Sequence, residues 1–367
     1  MAEKELIIVR EAIVDKLFLS SRSIVFCTVN CNSFDVRMAE LIQKLSFDQV
    51  IDRLLAMKQP YQSNYLAMYS SWFGGIITEP PLMLVPIDDH LVHRGDGVFE
   101  AFKCADWKVY ALDRHLDRME QSAKGSFLTI PMSRPELVET VLATIREANV
   151  PDCSVRLFLS RGPGGFTTNP YECPASQLYI VVTTLKMPSA ETYARGVSLK
   201  TSRIPVKKAL FANLKSCNYL PNVLMKKEAI DAGVDYTVSI DEQGLLGEGA
   251  TENIGIITRK GEFLVPRFER ILRGITISRT IELAGALASS GDLALVGEAD
   301  ITPAQAYDAA EIMMFGTTFD VLPVVDYDGH AIGGGRPGPL YGKLRELLRR
   351  DMQNCPEMLT PVKKTNV

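Results

Sequence analysis

Apolar residues recur along this chain at two periods, and the alternation between them predicts its elements. Val50, Ile51, Leu54 and Leu55 fall at helical spacing behind Ser46-Phe47-Asp48-Gln49, a capping-box pattern, so a helix is predicted there. A second helix is predicted from Ser133-Arg134-Pro135-Glu136, where a capping box with proline in the first turn leads into Leu137, Val141 and Ile145. Period-two alternation marks Ser154 to Leu159, placing Val155, Leu157 and Leu159 on one face and Arg156 on the other. An arginine facing inward there needs an anionic partner. Continuous apolar runs predict further strands over 178–185, 197–201, 236–240 and 254–258, with a turn at Asp241–Gly244. A helix is predicted from Asn222 to Ala232, stopped by Gly233.

These elements predict an α+β chain: an N-terminal helical extension over 1–65, a small α/β domain over 66–187, an interdomain loop at 188–195 marked by Met187-Pro188-Ser189, a larger β-rich domain over 196–345, and a C-terminal tail from 346 to 367. At 367 residues the length suits two domains. No internal repeat is visible.

Composition narrows the function. A hydrophobic fraction of 46%, a charged fraction of 23% and a net charge of −4 are those of an ordinary globular protein. The basic pairs Lys207-Lys208, Arg349-Arg350 and Lys363-Lys364 are too short to track nucleic acid and read as decoration of solvated faces. No apolar stretch approaches the ~18 residues of a membrane span, and the first ten residues mix charges unlike a secretory signal. Seven cysteines without a Cys-x-x-Cys pair fit reduced thiols, so a cytoplasmic protein is expected. His90 and His93 with Asp88 and Asp89 lack zinc-site spacing, so no metal is expected. Gly333-Gly334-Gly335 reads as a turn.

Two segments carry chemistry together. Lys215 precedes Ser216-Cys217-Asn218-Tyr219, and Glu248 stands between Gly247 and Gly249. A desolvated amine can hold an aldehyde as a Schiff base, and a carboxylate can keep a pyridine nitrogen protonated, which is pyridoxal-phosphate chemistry. Singly, the lysine reads as a snorkelling surface residue and the glutamate as a hairpin end. Arg273-Gly274-Ile275-Thr276 opens a helical stretch whose first amides suit a phosphate, with Thr276 as a plain N-cap the alternative. Gly316-Thr317-Thr318 supplies a glycine and two hydroxyls for a second anion clamp. His115 and Arg118 share a helical face, suited to phosphate or to a simple surface pair.

In order along the chain, Asp89 to Glu100, His115-Leu116-Asp117-Arg118, Lys215 with Asn218-Tyr219, Glu248-Gly249 with Asn253, Gly274-Ile275-Thr276 and Gly316-Thr317 resemble the class IV aminotransferases, the fold-type IV pyridoxal-phosphate enzymes, over about 66–345. Tyr65 to Ser71, Val92-His93-Arg94-Gly95 and Asn218 to Leu224 resemble the plant-type D-amino-acid transaminases. The resemblance implies that Lys215 is the Schiff-base lysine and proton shuttle, Glu248 the partner of the ring nitrogen and Tyr219 the donor to the ring hydroxyl. It places Arg118, Ile275, Thr276 and Thr317 around the phosphate, Leu272 on a ring face and Asn253 in the cofactor site. Phe99, Arg156 and Thr318 fall on the substrate side, with Arg156 for the substrate carboxylate. A homodimer acting on amino acids and 2-oxo acids, without nucleic acid or membrane, is implied. The chain departs from the bacterial D-amino-acid pattern at Gly162 to Thr168, and Arg94 replaces the tyrosine of the branched-chain pattern. A pyruvate-releasing lyase of the aminodeoxychorismate type and a non-catalytic cofactor-binding protein are the alternatives.

Overall fold

The computed structural model describes residues 43–362. Residues 1–42 and 363–367 lie outside the described residues, and with them most of the expected N-terminal extension, Cys27, Cys31 and Lys363-Lys364. Helix α1 (Phe47–Ala56) starts where its sequence signal lies: Ser46 N donates to Gln49 Oε1 at 2.9 Å, and Gln49 N donates to Ser46 Oγ at 3.3 Å. From Leu54 onward the described chain clusters as one compact unit.

The first part of that unit contributes β1 (Tyr65–Ser70), β2 (Gly75–Ile77), β3 (Gly97–Ala105), β4 (Lys108–Tyr110), β5 (Cys153–Ser160) and β6 (Gln177–Thr184). Helices α2 (His90–Arg94), α3 (Leu112–Gly125) and α4 (Arg134–Ala148) lie between them in sequence. Val155, Leu157 and Leu159 of β5 are buried with Leu116 and Met119 of α3 and Val141 and Ile145 of α4. Period two on the strand and period 3.6 on the helices thus meet in one core. Arg156 projects from the opposite face and is exposed, with no ion pair or hydrogen bond among the described residues. The anionic partner expected for Arg156 is therefore not a protein group among the described residues: this face of β5 borders a cavity, which Arg156 lines.

The second part contributes β7 (Val197–Thr201), β8 (Tyr236–Ile240), β9 (Leu246–Gly249), β10 (Asn253–Ile257), β11 (Glu262–Pro266), β12 (Leu295–Ala299), β13 (Glu311–Gly316), β14 (Asp320–Tyr327) and β15 (His330–Ala331). Its helices are α5 (Ala190–Arg195), α6 (Ala209–Ala212), α7 (Leu220–Asp231), α8 (Ile275–Ser289), α9 (Pro303–Tyr307) and α10 (Pro339–Asn354). These strands form a nine-stranded mixed sheet ordered β12-β11-β10-β13-β14-β7-β8-β9, with β15 on β14. Both faces are covered: Met313 and Phe315 pack with Ile277 of α8 and Leu344 of α10, while Ile312 and Met314 join Ile254 and Leu322 on the other side.

Two expected irregular segments are ordered. The stretch 188–195 contains α5, because Ser189 Oγ accepts from Thr192 N at 3.2 Å and Gly196, at φ 80°, ends the turn. Residues after 345 continue α10, whose Tyr341, Leu344 and Leu348 are buried at helical spacing. The last strand, β16 (Leu359–Pro361), then pairs with β4, completing an antiparallel sheet ordered β16-β4-β3-β5-β6-β1-β2. Helix α7 starts at Leu220, two residues before its expected start, since Pro221 is tolerated in a first helical turn.

The opposed faces of β5 give a direct test. Leu157→Ala is expected to lower the unfolding free energy by about 2–5 kcal/mol through an unfilled core site. Arg156→Ala, one residue away, should stay within about 0.5 kcal/mol of wild type. Urea denaturation of the two variants reads the contrast, and equal losses would contradict the assigned faces.

Candidate active site

Lys215 is fixed by backbone before its side chain does anything. Phe99 N donates to Lys215 O at 2.8 Å, Cys217 N donates to Gly97 O at 2.8 Å, and Val98 and Ser216 form an antiparallel bridge between these bonds. β4 pairs with β3 only at Cys104 and Ala105, so the other end of β3 is free to take this segment. Lys215 N also donates to Ser122 Oγ of α3 at 3.2 Å. The ammonium ends 4.6 Å from the Phe99 ring centroid. Burial, with help from the nearby Arg118 charge, lowers the amine to about 8, against the opposing pull of Glu100 and Glu248. A lowered pKa raises the neutral fraction near neutrality to roughly a tenth, and the neutral amine is the nucleophile.

Glu248 lies on β9, where Ser239 Oγ donates to its carbonyl at 2.8 Å and accepts from its amide at 3.2 Å. The flanking glycines admit close neighbours. A Cβ on Gly247 would lie 2.0 Å from Val206 Cγ2, and one on Gly249 would lie 2.6 Å from Glu252 Oε2. Glu248 Oε2 accepts from Leu272 N at 3.1 Å, while Oε1 accepts no hydrogen bond among the described residues. Burial raises the carboxyl to about 7, although the Leu272 amide, Lys207 and Lys215 favour its ionised form.

The opposite end of the cavity is built for an anion. Gly274 caps α8, so the amides of Ile275 and Thr276 stand free at the start of a 15-residue helix. Asn253 Nδ2 donates to Leu272 O at 2.9 Å, and a Cβ on Gly274 would fall 1.9 Å from Asn253 Oδ1. Thr276 sits inside the first turn, which corrects the plain N-cap alternative. Arg118 donates to Glu100 through Nε at 2.7 Å and Nη2 at 2.8 Å, and its Nη1 donates to Arg273 O at 3.0 Å. His115 Nδ1 lies 2.8 Å from Glu100 Oε2. All three side chains are buried, which overturns the surface-pair alternative. Burial alone would raise Glu100, but the Arg118 charge and the Arg118 and His115 hydrogen bonds hold it down at about 2.

Arg118, Lys215, Tyr219, Glu248, Asn253, Leu272, Ile275, Thr276 and Thr317 line one cavity. Phe99, Arg156 and Thr318 line a second, with Phe158 and Phe319, which shares Arg118, Lys215, Tyr219 and Thr317 with the first. The structure therefore brings together every site residue expected from the sequence. Phe99 meets Tyr219 edge to face at 5.0 Å, and burial raises the Tyr219 phenol, keeping it protonated as a donor.

Sequence reasoning missed Glu100, Lys207 and Glu252. Glu100 carries the Arg118 cradle, and its signal was a carboxylate at period two with the apolar Val98, Phe102 and Cys104 on the core face of β3. Lys207, read as surface decoration, lines the first cavity and stands 5.0 Å from the Tyr219 ring centroid; tight packing of Val206 beside Gly247 carries it there, which no local pattern announces. Glu252 is buried, with Thr251 N donating to its Oε2 at 2.9 Å and Thr251 Oγ1 donating to its Oε1.

A lowered amine, a free carboxylate oxygen, a helix-terminal anion pocket and a phenol donor fit pyridoxal phosphate. Comparison with known proteins agrees. The family model for amino-transferase class IV matches residues 97–327. The chain is 38% identical over 313 residues to the D-amino-acid transaminase, chloroplastic, of Arabidopsis thaliana, covering 85% of this chain and 83% of that one. It is 33% identical over 262 residues to a putative branched-chain-amino-acid aminotransferase of Methanocaldococcus jannaschii, covering 71% and 89%. Among solved structures, the T.th. branched-chain amino acid aminotransferase with pyridoxamine 5'-phosphate is similar with a TM-score of 0.75 at 26% identity, covering 82% of this chain and 99% of that one.

The buried cradle makes a pH prediction. Glu100 is depressed to about 2 from an ordinary 4.5, so its charge stabilises the fold fully above about pH 4.5 and that contribution is lost as pH falls through 2. Glu100→Gln should cost roughly 3 kcal/mol at pH 7, where Arg118 loses its buried anion. Chemical denaturation at pH 7, 4 and 2.5 should show the gap to wild type narrowing toward acid. A gap independent of pH would contradict the ionised cradle.

Proposed function

The chain belongs to the amino-transferase class IV family and is a pyridoxal-phosphate-dependent aminotransferase of fold-type IV, and on that premise we propose which of its residues carry the transfer. It moves an amino group between an amino acid and a 2-oxo acid. When bound, the cofactor supplies an aldehyde that condenses with amines and a ring that accepts electrons from the substrate α-carbon.

Lys215 is the attachment amine and the base that moves the proton at the α-carbon; its lowered pKa and its place between the two cavities support both roles. Glu248, with its unbonded Oε1, would partner the ring nitrogen and keep a proton there. Tyr219 would donate to the ring hydroxyl. Arg118, Ile275, Thr276 and Thr317 would hold the phosphate, and Leu272, whose carbonyl Asn253 fixes, would pack on the ring. On the substrate side, Arg156 takes the carboxylate with Thr318 beside it, and Phe99 and Phe158 flank the side chain. The observation that carries the assignment is the meeting of Lys215, Glu248 and the α8 amides in one cavity. The named relatives are transaminases, which favours transfer over elimination.

We also read the protein as a homodimer. Leu210, Phe211, Leu220 and Val223 are exposed, and Phe211 and Leu220 line a groove adjoining the site. A clustered apolar surface of this kind suits a protein partner. No helix among the described residues is long and apolar enough to cross a membrane. The free thiols of Cys104, Cys153, Cys173, Cys217 and Cys355 support the reading of a reducing, cytoplasmic setting.

Purified protein should carry cofactor absorbance that borohydride fixes covalently, and Lys215→Ala should abolish the fixation. Glu248→Ala should retain cofactor but lose turnover on the order of 100-fold, because an unprotonated ring accepts electrons poorly. Arg156→Met should raise KM for the 2-oxo acid roughly 10- to 100-fold with cofactor occupancy unchanged. Unaltered KM would remove Arg156 from the carboxylate role, and elution at monomer mass on sizing would refute the dimer.

A further inference from the structure

A second lysine reaches the cofactor cavity. Lys207 lines it together with Lys215, Glu248 and Tyr219, and also lines the external groove formed with Val92, Phe211 and Leu220. Its ammonium lies over the Tyr219 ring at 5.0 Å from the centroid, and it has no ion pair or hydrogen bond among the described residues. The position is built rather than incidental. Gly247 leaves no room for a side chain against Val206, so the side chain of the residue before Lys207 packs directly on β9 one residue from Glu248. A half-buried cation without an anion at contact distance acts on its surroundings through the intervening low-dielectric space.

We propose that Lys207 is a positioning residue for the amino-transfer reaction, its ammonium serving as a fixed positive charge on the outer wall of the cofactor cavity, across the ring of Tyr219 and within electrostatic reach of Glu248 and Lys215. The inference rests on the assignment of those two residues to the cofactor. Three effects follow from one charge. A cation on the face of the Tyr219 ring makes its phenol a better hydrogen-bond donor. The same charge favours the ionised form of Glu248 and disfavours the protonated form of Lys215. Other groups act on the same amine: Arg118 and His115 from α3, Glu100 from β3, Glu248 from β9, and Cys217 from its own segment. Arg118 is neutralised by Glu100 in a bidentate pair, whereas Lys207 has no such counter-ion. Removing Lys207 therefore removes a charge that no contact ion pair neutralises among the described residues, Glu248 acting on it only from longer range.

The test strips pyridoxal phosphate from the full-length protein and follows its recapture by stopped-flow absorbance between pH 6 and 9.5. Wild type, Lys207→Met, Lys207→Gln and Lys207→Arg are compared. Capture needs the neutral Lys215 amine, so loss of a neighbouring positive charge must move the midpoint to higher pH. Both neutral variants should shift it upward by about half a unit, seen as roughly three-fold slower capture at pH 7. Lys207→Arg should keep the wild-type midpoint. Superimposable profiles, an equal shift in the arginine variant, or a rate lowered uniformly at every pH would overturn the proposal. Borohydride fixation and peptide mapping on the same samples keep the two readings apart: cofactor on a residue other than Lys215 sinks the functional assignment, whereas cofactor on Lys215 with unshifted midpoints sinks the role of Lys207 alone.

Discussion

Two backbone hydrogen bonds, from Phe99 N to Lys215 O and from Cys217 N to Gly97 O, are the constraint on which the site depends. Lys215 lies in the connection between β7 and β8 of the nine-stranded sheet, yet its main chain is held by β3 of the other sheet. A lysine side chain has four rotatable bonds and would lose an aimed position at the cost of about 2 kcal/mol of rotamer freedom if its base were also loose. Anchoring the backbone confines that search to the cavity. It also takes the amine out of bulk water, and desolvation is the largest influence lowering it.

Charge in the site is partitioned by partner. Arg118 is spent on Glu100, so it presents to the cavity an oriented, partly neutralised donor rather than a bare cation. Arg156 has no protein anion among the described residues and lines the cavity. A buried ion pair contributes little net stability because desolvation offsets attraction, but it fixes geometry. Glu100 accordingly positions: it ties α3 to β3, through Arg118 and His115, at the end of the cavity where the α8 amides emerge.

Much of this was legible in the sequence where the signal is local. The capping boxes at Ser46 and Ser133, the alternating faces of β5, and the glycine before the first turn of α8 are all written within a few residues. The family spacing located Lys215, Glu248 and the threonines for the same reason. What escaped depends on distant contacts. Glu100 and Lys207 are ordinary charged residues until β3, α3 and β9 are assembled around them. The segment 188–195 and the strand β16 looked like connections because a six-residue helix and a three-residue edge strand carry too few apolar positions to stand out by period, whereas Leu344, Leu347 and Leu348 of α10 do recur at helical spacing.

The two glutamates of the β9–β10 turn show why composition at a site does not assign a role. Glu248 and Glu252 are four residues apart, both line the cavity, and burial raises both. Their hydrogen bonding separates them. Thr251 satisfies both oxygens of Glu252, through its amide and its hydroxyl, and the Glu252 carbonyl accepts from Gly249 N at 2.7 Å. That carboxyl is occupied in closing the turn. Glu248 has one oxygen held by Leu272 N and the other open. A carboxyl steered by one bond and free at its second oxygen can take a proton-bearing nitrogen without breaking anything, whereas Glu252 would have to give up the turn that positions Glu248 itself.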